Sequence, residues 1–188
     1  MDALDRNWRR LAGRIPAAAE ADAARIVRAF RGDIVLTPPR ASKWGSYRWR
    51  SDLGAKIFLN RDLQPEAMLI TLLHELAHAQ VKAWDGLGCA PHGAEWQKRY
   101  RELLAPFIAL PEVFSPAVAR ALQRQLHKPK ASCGAAPDLL RALRADSDQL
   151  RVEHLPEGAW FRLDNGMEFR KGPKRRTRFA CTEKKTGR

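Results

Sequence analysis

The chain has 188 residues and carries 34 Lys and Arg against 21 Asp and Glu, a formal net charge of +13 with its five histidines neutral. That length, at 45% hydrophobic content, suits one packed core plus a small appendage, and the excess of cations points to a nucleic-acid partner, with a solvated arginine-rich surface as the plainer alternative. Cys89, Cys133 and Cys181 are odd in number and form no CxxC pair, which excludes a disulfide framework and a four-cysteine zinc site within the chain. Together with the lack of any long apolar run or apolar signal core, this leads to the expectation of a cytoplasmic protein with no membrane partner.

Residues 2–13 and 16–30 repeat apolar side chains (Leu11, Ile15, Ala19, Ala23, Ile26, Val27, Phe30) at steps of three or four, which predicts two helices, the second opened by Pro16 and ended by Gly32. The β-branched run 33–37, stopped by Pro38-Pro39, and the runs 45–50 and 55–59 around a turn at 51–54 predict a three-stranded sheet. Residues 65–84 predict the strongest helix: Pro65-Glu66 favours the start, Met68, Leu69, Leu72, Leu73, Leu76 and Ala79 face a core, and Gly86 and Gly88 end it. Another helix is expected from about His92 through Trp96, Tyr100, Leu103 and Leu104 to Pro106, and a third over 116–126. Residues 127–137, rich in Lys, Pro, Ala, Ser and Gly, read as a linker, which divides the chain into a domain at 1–128 and an extension at 129–188. In the extension a helical turn at 139–143 precedes short strands punctuated at 156–158, 164–166 and 171–173, with Asn165-Gly166 as a hairpin turn between Phe161, Leu163 and Met167, Phe169. The expected fold class is α+β, a small sheet packed on helices followed by a basic β-rich extension.

His74-Glu75-Leu76-Ala77-His78 falls inside the strongest helix. Residues four apart share a helical face, so the two imidazoles are pre-placed for one cation, and neutral imidazole is a good donor for zinc. Catalytic zinc commonly takes three protein ligands and leaves one position to water. Of the remaining histidines, His127 borders the linker and His154 lies in the extension. His92, after the glycine bend, is placed to return as third ligand, with Trp96 one turn on to pack it and Gly93 to let the backbone approach. Glu95 is the alternative third ligand, with His92 then in a supporting role. Cys89 lies three residues before His92, but a buried or loop thiol is the simpler reading. Glu75 is rotated about 100° from His74 and suits a general base that takes a proton from water activated by the metal. The plain alternative is a pair of ordinary helix histidines.

At these residues the sequence resembles the SprT-like family of zinc metalloproteases, which includes the Spartan proteases. The resemblance rests on Thr71-Leu-Leu-His-Glu-Leu-Ala-His-Ala79, then thirteen residues between His78 and His92, then His92-Gly93-Ala94-Glu95-Trp96, and extends over about residues 20–126. It implies a zincin-like fold, one Zn2+ per chain on His74, His78 and His92, a catalytic Glu75, and endopeptidase action on a protein substrate, by analogy one associated with DNA. The Cys-rich zinc ribbon that often ends bacterial SprT proteins is missing, while the run 169–188 looks like the tail of some SprT-like proteins. Lys43-Trp44-Gly45-Ser46-Tyr47 is similar to a segment of YgjP-type metallohydrolases, whose third histidine stands much closer to HExxH.

From Arg170 to Arg188 nine basic residues stand against one acid, Glu183. Lys174, Arg175, Arg176 and Arg178 are the candidate nucleic-acid contacts, with a solvated hairpin as the alternative. Over 40–50, Lys43, Arg48 and Arg50 interleave with Trp44, Tyr47 and Trp49. That composition suits stacking of unpaired bases, or one buried face of a sheet, with Trp44 read as core. The competing functions are a nucleic-acid-binding protein with a structural zincin fold and no turnover, and a zinc hydrolase of non-peptide amides.

Overall fold

The computed structural model describes residues 3–40, 43–85, 89–127, 137–144, 152–163, 165–176 and 178–187. Gly86, Gly88, Cys133, Asp164 and most of the 127–137 linker lie outside the described residues. The chain divides into two compact units, Met1–Asp146 and Ser147–Arg188.

The first unit is a mixed α+β layer. Helices α1 (Ala3–Leu11) and α2 (Glu20–Ala29), with a short 3-10 turn between them, precede strands β1 (Gly32–Thr37), β2 (Gly45–Arg50) and β3 (Gly54–Asn60). The strand order is β1-β3-β2, with β1 parallel and β2 antiparallel to β3. The outer edge of β1 is closed by α1. Buried Asn7 donates to Gly32 O at 2.8 Å and accepts from Ile34 N–H at 2.9 Å, and Arg10 donates to Ile34 O. Leaving such buried backbone groups unpaired costs about 1–3 kcal/mol each.

Helix α3 (Pro65–Gln80) carries the HExxH stretch and runs into a π-helical turn, Val81–Asp85. The Val81 amide is shared between the carbonyls of Ala77 and His78, which marks where the α-helix gives way. The sequence pattern suggested one apolar face; instead twelve residues of α3 are buried, Ile70, Thr71 and Ala77 among them, because β2, β3 and α4 all pack against it. Helix α4 (Ala94–Ala109) continues past Pro106, where the sequence suggested it would stop. A proline removes one helical hydrogen bond, and the nearly complete burial of Phe107 holds the last turn in place. Helices α5 (Pro116–His127) and α6 (Pro137–Leu143) complete the unit. Glu66, at the start of α3, accepts from the Ser115 amide that precedes α5. Helix α6 packs on α5 with Leu139 fully buried, so the first unit reaches residue 146 and the composition-based division at 128 falls short of it.

The second unit is an antiparallel sheet of β4 (Trp160–Arg162), β5 (Glu168–Arg175) and β6 (Arg178–Glu183), in the order β4-β5-β6. Gly172-Pro173 does not separate two strands as the sequence suggested. It forms a bulge inside β5, where the pairing steps from Lys171 to Lys174. A Cβ on Gly172 would stand 2.4 Å from Ala180 O, so only glycine lets β6 come this close.

Among the described residues no helix is long and apolar enough to cross a membrane.

Candidate metal centre

Burial of α3 sets the histidines' chemistry. His74 and His78 project from one face, and His92 reaches the same point from the turn before α4. The Nε2 atoms of His78 and His92 are 3.0 Å apart and those of His92 and His74 are 3.2 Å apart. One ligand nitrogen from each of the three lies within 4.8 Å of the others. Nitrogens bound to a single zinc at roughly 2.0–2.1 Å in tetrahedral geometry stand about 3.3 Å apart, so the three residues fit that ion.

Their protonation fits too. Burial lowers the pKa of His74 to about 3, with His78 and His92 adding repulsion, and lowers that of His78 to about 4, with His92 adding to it. His92 is lowered by burial as well. All three are neutral imidazoles near pH 7, the form that offers a lone pair to a metal.

The aromatic packing behind the cluster is close. Trp96, nearly fully buried, lies edge-on to His92 with ring centroids 4.6 Å apart and 4.7 Å from His74, and donates through Nε1 to His74 O at 3.4 Å. Tyr100 stacks on Trp96 at 4.9 Å and stands 5.7 Å from His74. Glu95 is exposed and Cys89 half-buried, and neither joins the cluster.

His92 also carries backbone strain that its sequence context does not announce. The Gly93 amide donates to Ala90 O at 2.9 Å, closing a turn over Ala90-Pro91-His92-Gly93, and His92 has φ +61°. Proline second and a positive φ third make a turn of type II character, whose third position ordinarily takes Gly or Asn. A histidine held there is a strained backbone at a site of chemistry.

Glu75 is buried and faces β2. Its carboxylate accepts from the Tyr47 backbone amide. Burial raises its pKa to about 7, a rise that this bond and the charges of Arg40 and Lys43 oppose. A Cβ on Gly45 would come within 2.8 Å of Glu75 Oε1 and 2.6 Å of Thr71 Cγ2. The Thr71 hydroxyl is tied back to Ala67 O at 2.7 Å, so its methyl cannot easily turn away. Glycine at 45 is therefore what lets the strand close on the helix. Asn60, buried, holds the preceding loop by donating to Arg40 O and Lys43 O and accepting from Arg40 Nε. Sequence reasoning missed Gly45, the Tyr47 amide and Asn60; only the glycine inside a strand pattern signalled a close approach.

Of the other sequence candidates, Trp44 is half-buried, while Tyr47 is the aromatic of its stretch that packs on the core. Exposed Trp49 is covered by Lys82 Nζ at 4.3 Å, and Arg48 lies over Phe58 at 5.3 Å, so both cation–π pairs are internal. Lys174, Arg175, Arg176 and Arg178 are all exposed, with Arg176 at φ +48° in the β5–β6 turn. A cavity of about 1060 Å³ between α2, β2, α3 and α4 is lined by Phe30, Tyr47, Trp49, Leu76 and Phe107, and includes none of the three histidines and not Glu75.

Fold and site together define an α+β domain with a three-histidine site, two residues from helix α3 and one from the turn before α4, able to hold a metal ion. Residues 31–113, from β1 through α4, match the SprT-like family. No curated protein and no solved structure matches the chain.

Proposed function

We propose that the protein is a zinc-dependent endopeptidase of SprT-like type, in which Glu75 is the general base. The observation that carries this reading is the convergence of three neutral imidazoles, with His92 Nε2 3.0 Å from that of His78 and 3.2 Å from that of His74 and all three ligand nitrogens within 4.8 Å of one another, and a buried carboxylate one residue from the first of them. His74, His78 and His92 would hold the ion, which when bound polarises a carbonyl and lowers the pKa of water toward about 7. Glu75, braced by the Tyr47 amide, takes a proton from the attacking water and delivers it to the departing amide nitrogen. The match over residues 31–113 supports metallopeptidase character for the segment that contains these residues.

A nucleic-acid partner belongs to the same proposal. The net charge of +13 supports it, and so does the exposure of Lys174, Arg175, Arg176 and Arg178. The protein substrates would then be proteins associated with DNA.

The test is incubation of the full chain with an unfolded protein and with a DNA-bound protein, with and without DNA, reading new termini by mass spectrometry. Cleavage that a chelator stops and added zinc restores is expected. No cleavage under any condition, beside salt-sensitive DNA binding, would replace this reading with that of a binding protein without turnover.

A further inference from the structure

The register of the C-terminal sheet sorts its side chains into two unlike faces. Trp160 stands opposite Arg170, and Arg170 opposite Thr182; Phe161 stands opposite Phe169, and Phe169 opposite Glu183. Directly paired residues, and residues two apart on a strand, share a face. Across the bulge, three steps on β5 from Lys171 to Lys174 match two on β6 from Cys181 to Phe179. Lys174 is thereby set on the Phe179 side, and Arg175 with its partner Arg178 on the Trp160 side.

The first face serves the unit's own packing. Phe161 and Phe169 stack at 5.9 Å, and Lys171, buried, lies 4.2 Å over Phe179 and donates to the carbonyls of Glu153 and Leu155. The second face carries Arg162, Arg170, Arg175 and Arg178, all exposed, around Trp160, which is 55% exposed. Its carboxylate, Glu168, is already bonded to Lys184 at 2.6 Å, and Lys184 Nζ lies over one side of the Trp160 ring, 5.8 Å from its centroid, so stacking falls to the other side. Arg175 and Arg178 have no carboxylate partner among the described residues. From the level of Thr182 to Arg178 is four residues, about 13 Å along a strand, so the guanidinium groups form a track and not a point.

We infer that this face of the β4-β5-β6 sheet binds single-stranded nucleic acid, with Trp160 stacking an unpaired base and Arg170, Arg175 and Arg178 holding successive phosphates. A tryptophan ring more than half exposed on a sheet face is what an unpaired base can use and a stacked duplex cannot. The excess of cations on the same face supplies the charge complement for the backbone. The inference rests on the nucleic-acid part of the reading above and is independent of the metal centre.

The test is fluorescence anisotropy of the full chain with a labelled 20-nucleotide oligothymidine and with a duplex of equal length, titrated with salt. The oligothymidine is expected to bind more tightly than the duplex. Trp160→Ala should weaken it at least about five-fold with the salt slope unchanged, and Trp160→Phe should recover most of the loss. Replacing Arg170, Arg175 and Arg178 together with alanine should flatten the slope by about two, while Lys174→Ala, on the other face, has a smaller effect than any one of the three. Wild-type affinity in Trp160→Ala, equal affinity for duplex and single strand, or preference for acidic phospholipid vesicles would overturn the inference while leaving a basic surface in place. No binding to any nucleic acid would reject the partner proposal as well.

Discussion

Glu75→Gln is expected to slow peptide-bond cleavage by about a thousand-fold, inside the roughly 10²–10⁴ range for loss of a general base, while zinc stays bound. The substitution keeps the shape of the side chain and its capacity to accept from the Tyr47 amide, but an amide cannot take up the water's proton. A second consequence follows from burial. In the metal-free protein the Glu75 pKa is raised from 4.5 to about 7, so the folded state binds this proton more tightly than the unfolded chain does. The favourable contribution is complete below pH 4.5 and is lost as pH rises through about 7. Above that, the wild type holds a buried charge that glutamine does not carry, so metal-free Glu75→Gln should be the more stable by about 2–3 kcal/mol at pH 8, and the difference should vanish near pH 4. Urea denaturation at the two pH values reads this out. Equal stability at pH 8 would mean that the carboxylate is solvated, and undiminished cleavage would remove Glu75 from the mechanism.

His92→Gly is expected to separate metal binding from folding in opposite directions. With two ligands left from α3, the site loses the closure that three nitrogens provide, and zinc present in 1,000-fold excess over its Kd no longer adds the roughly 4 kcal/mol of stability that such binding confers. Yet the metal-free variant should be no less stable than metal-free wild type, and more stable by up to about 1 kcal/mol, because glycine occupies the φ of +61° at this turn without the strain histidine bears there. Part of that gain is offset by the loss of the imidazole's packing on Trp96 at 4.6 Å. Thermal unfolding with and without zinc distinguishes the two effects. A zinc-induced rise in Tm equal to that of the wild type would show that residue 92 is not a ligand.

How much of this was legible in the sequence depends on the range of each interaction. His74 and His78 were legible because an i, i+4 pair fixes its own geometry, and His92 because the glycines at 86 and 88 in the sequence allow the chain to reverse after that helix. The strained φ of His92 was not, since nothing local demands it. The three-stranded sheet and the Asn165-Gly166 hairpin followed from alternation and turn chemistry. Gly45 became meaningful only once β2 was seen against Thr71 and Glu75, thirty residues further along in the case of Glu75. The division of the chain near 128 failed because it weighed the composition of the linker and could not weigh the burial of Leu139 beyond it. In the C-terminal sheet the four adjacent cations were visible as a cluster. The bulge that sends Lys174 and Arg175 to opposite faces depends on the close approach of Ala180 O to Gly172, a contact between strands.

The metal content of full-length protein purified without chelator, measured by mass spectrometry of the dissolved protein alongside His92→Gly, bears on all of this at once. Close to one zinc per chain in the wild type, and almost none in the variant, is the outcome the three-histidine centre requires. Less than about half an equivalent in the wild type, or the same content in both proteins, would contradict it.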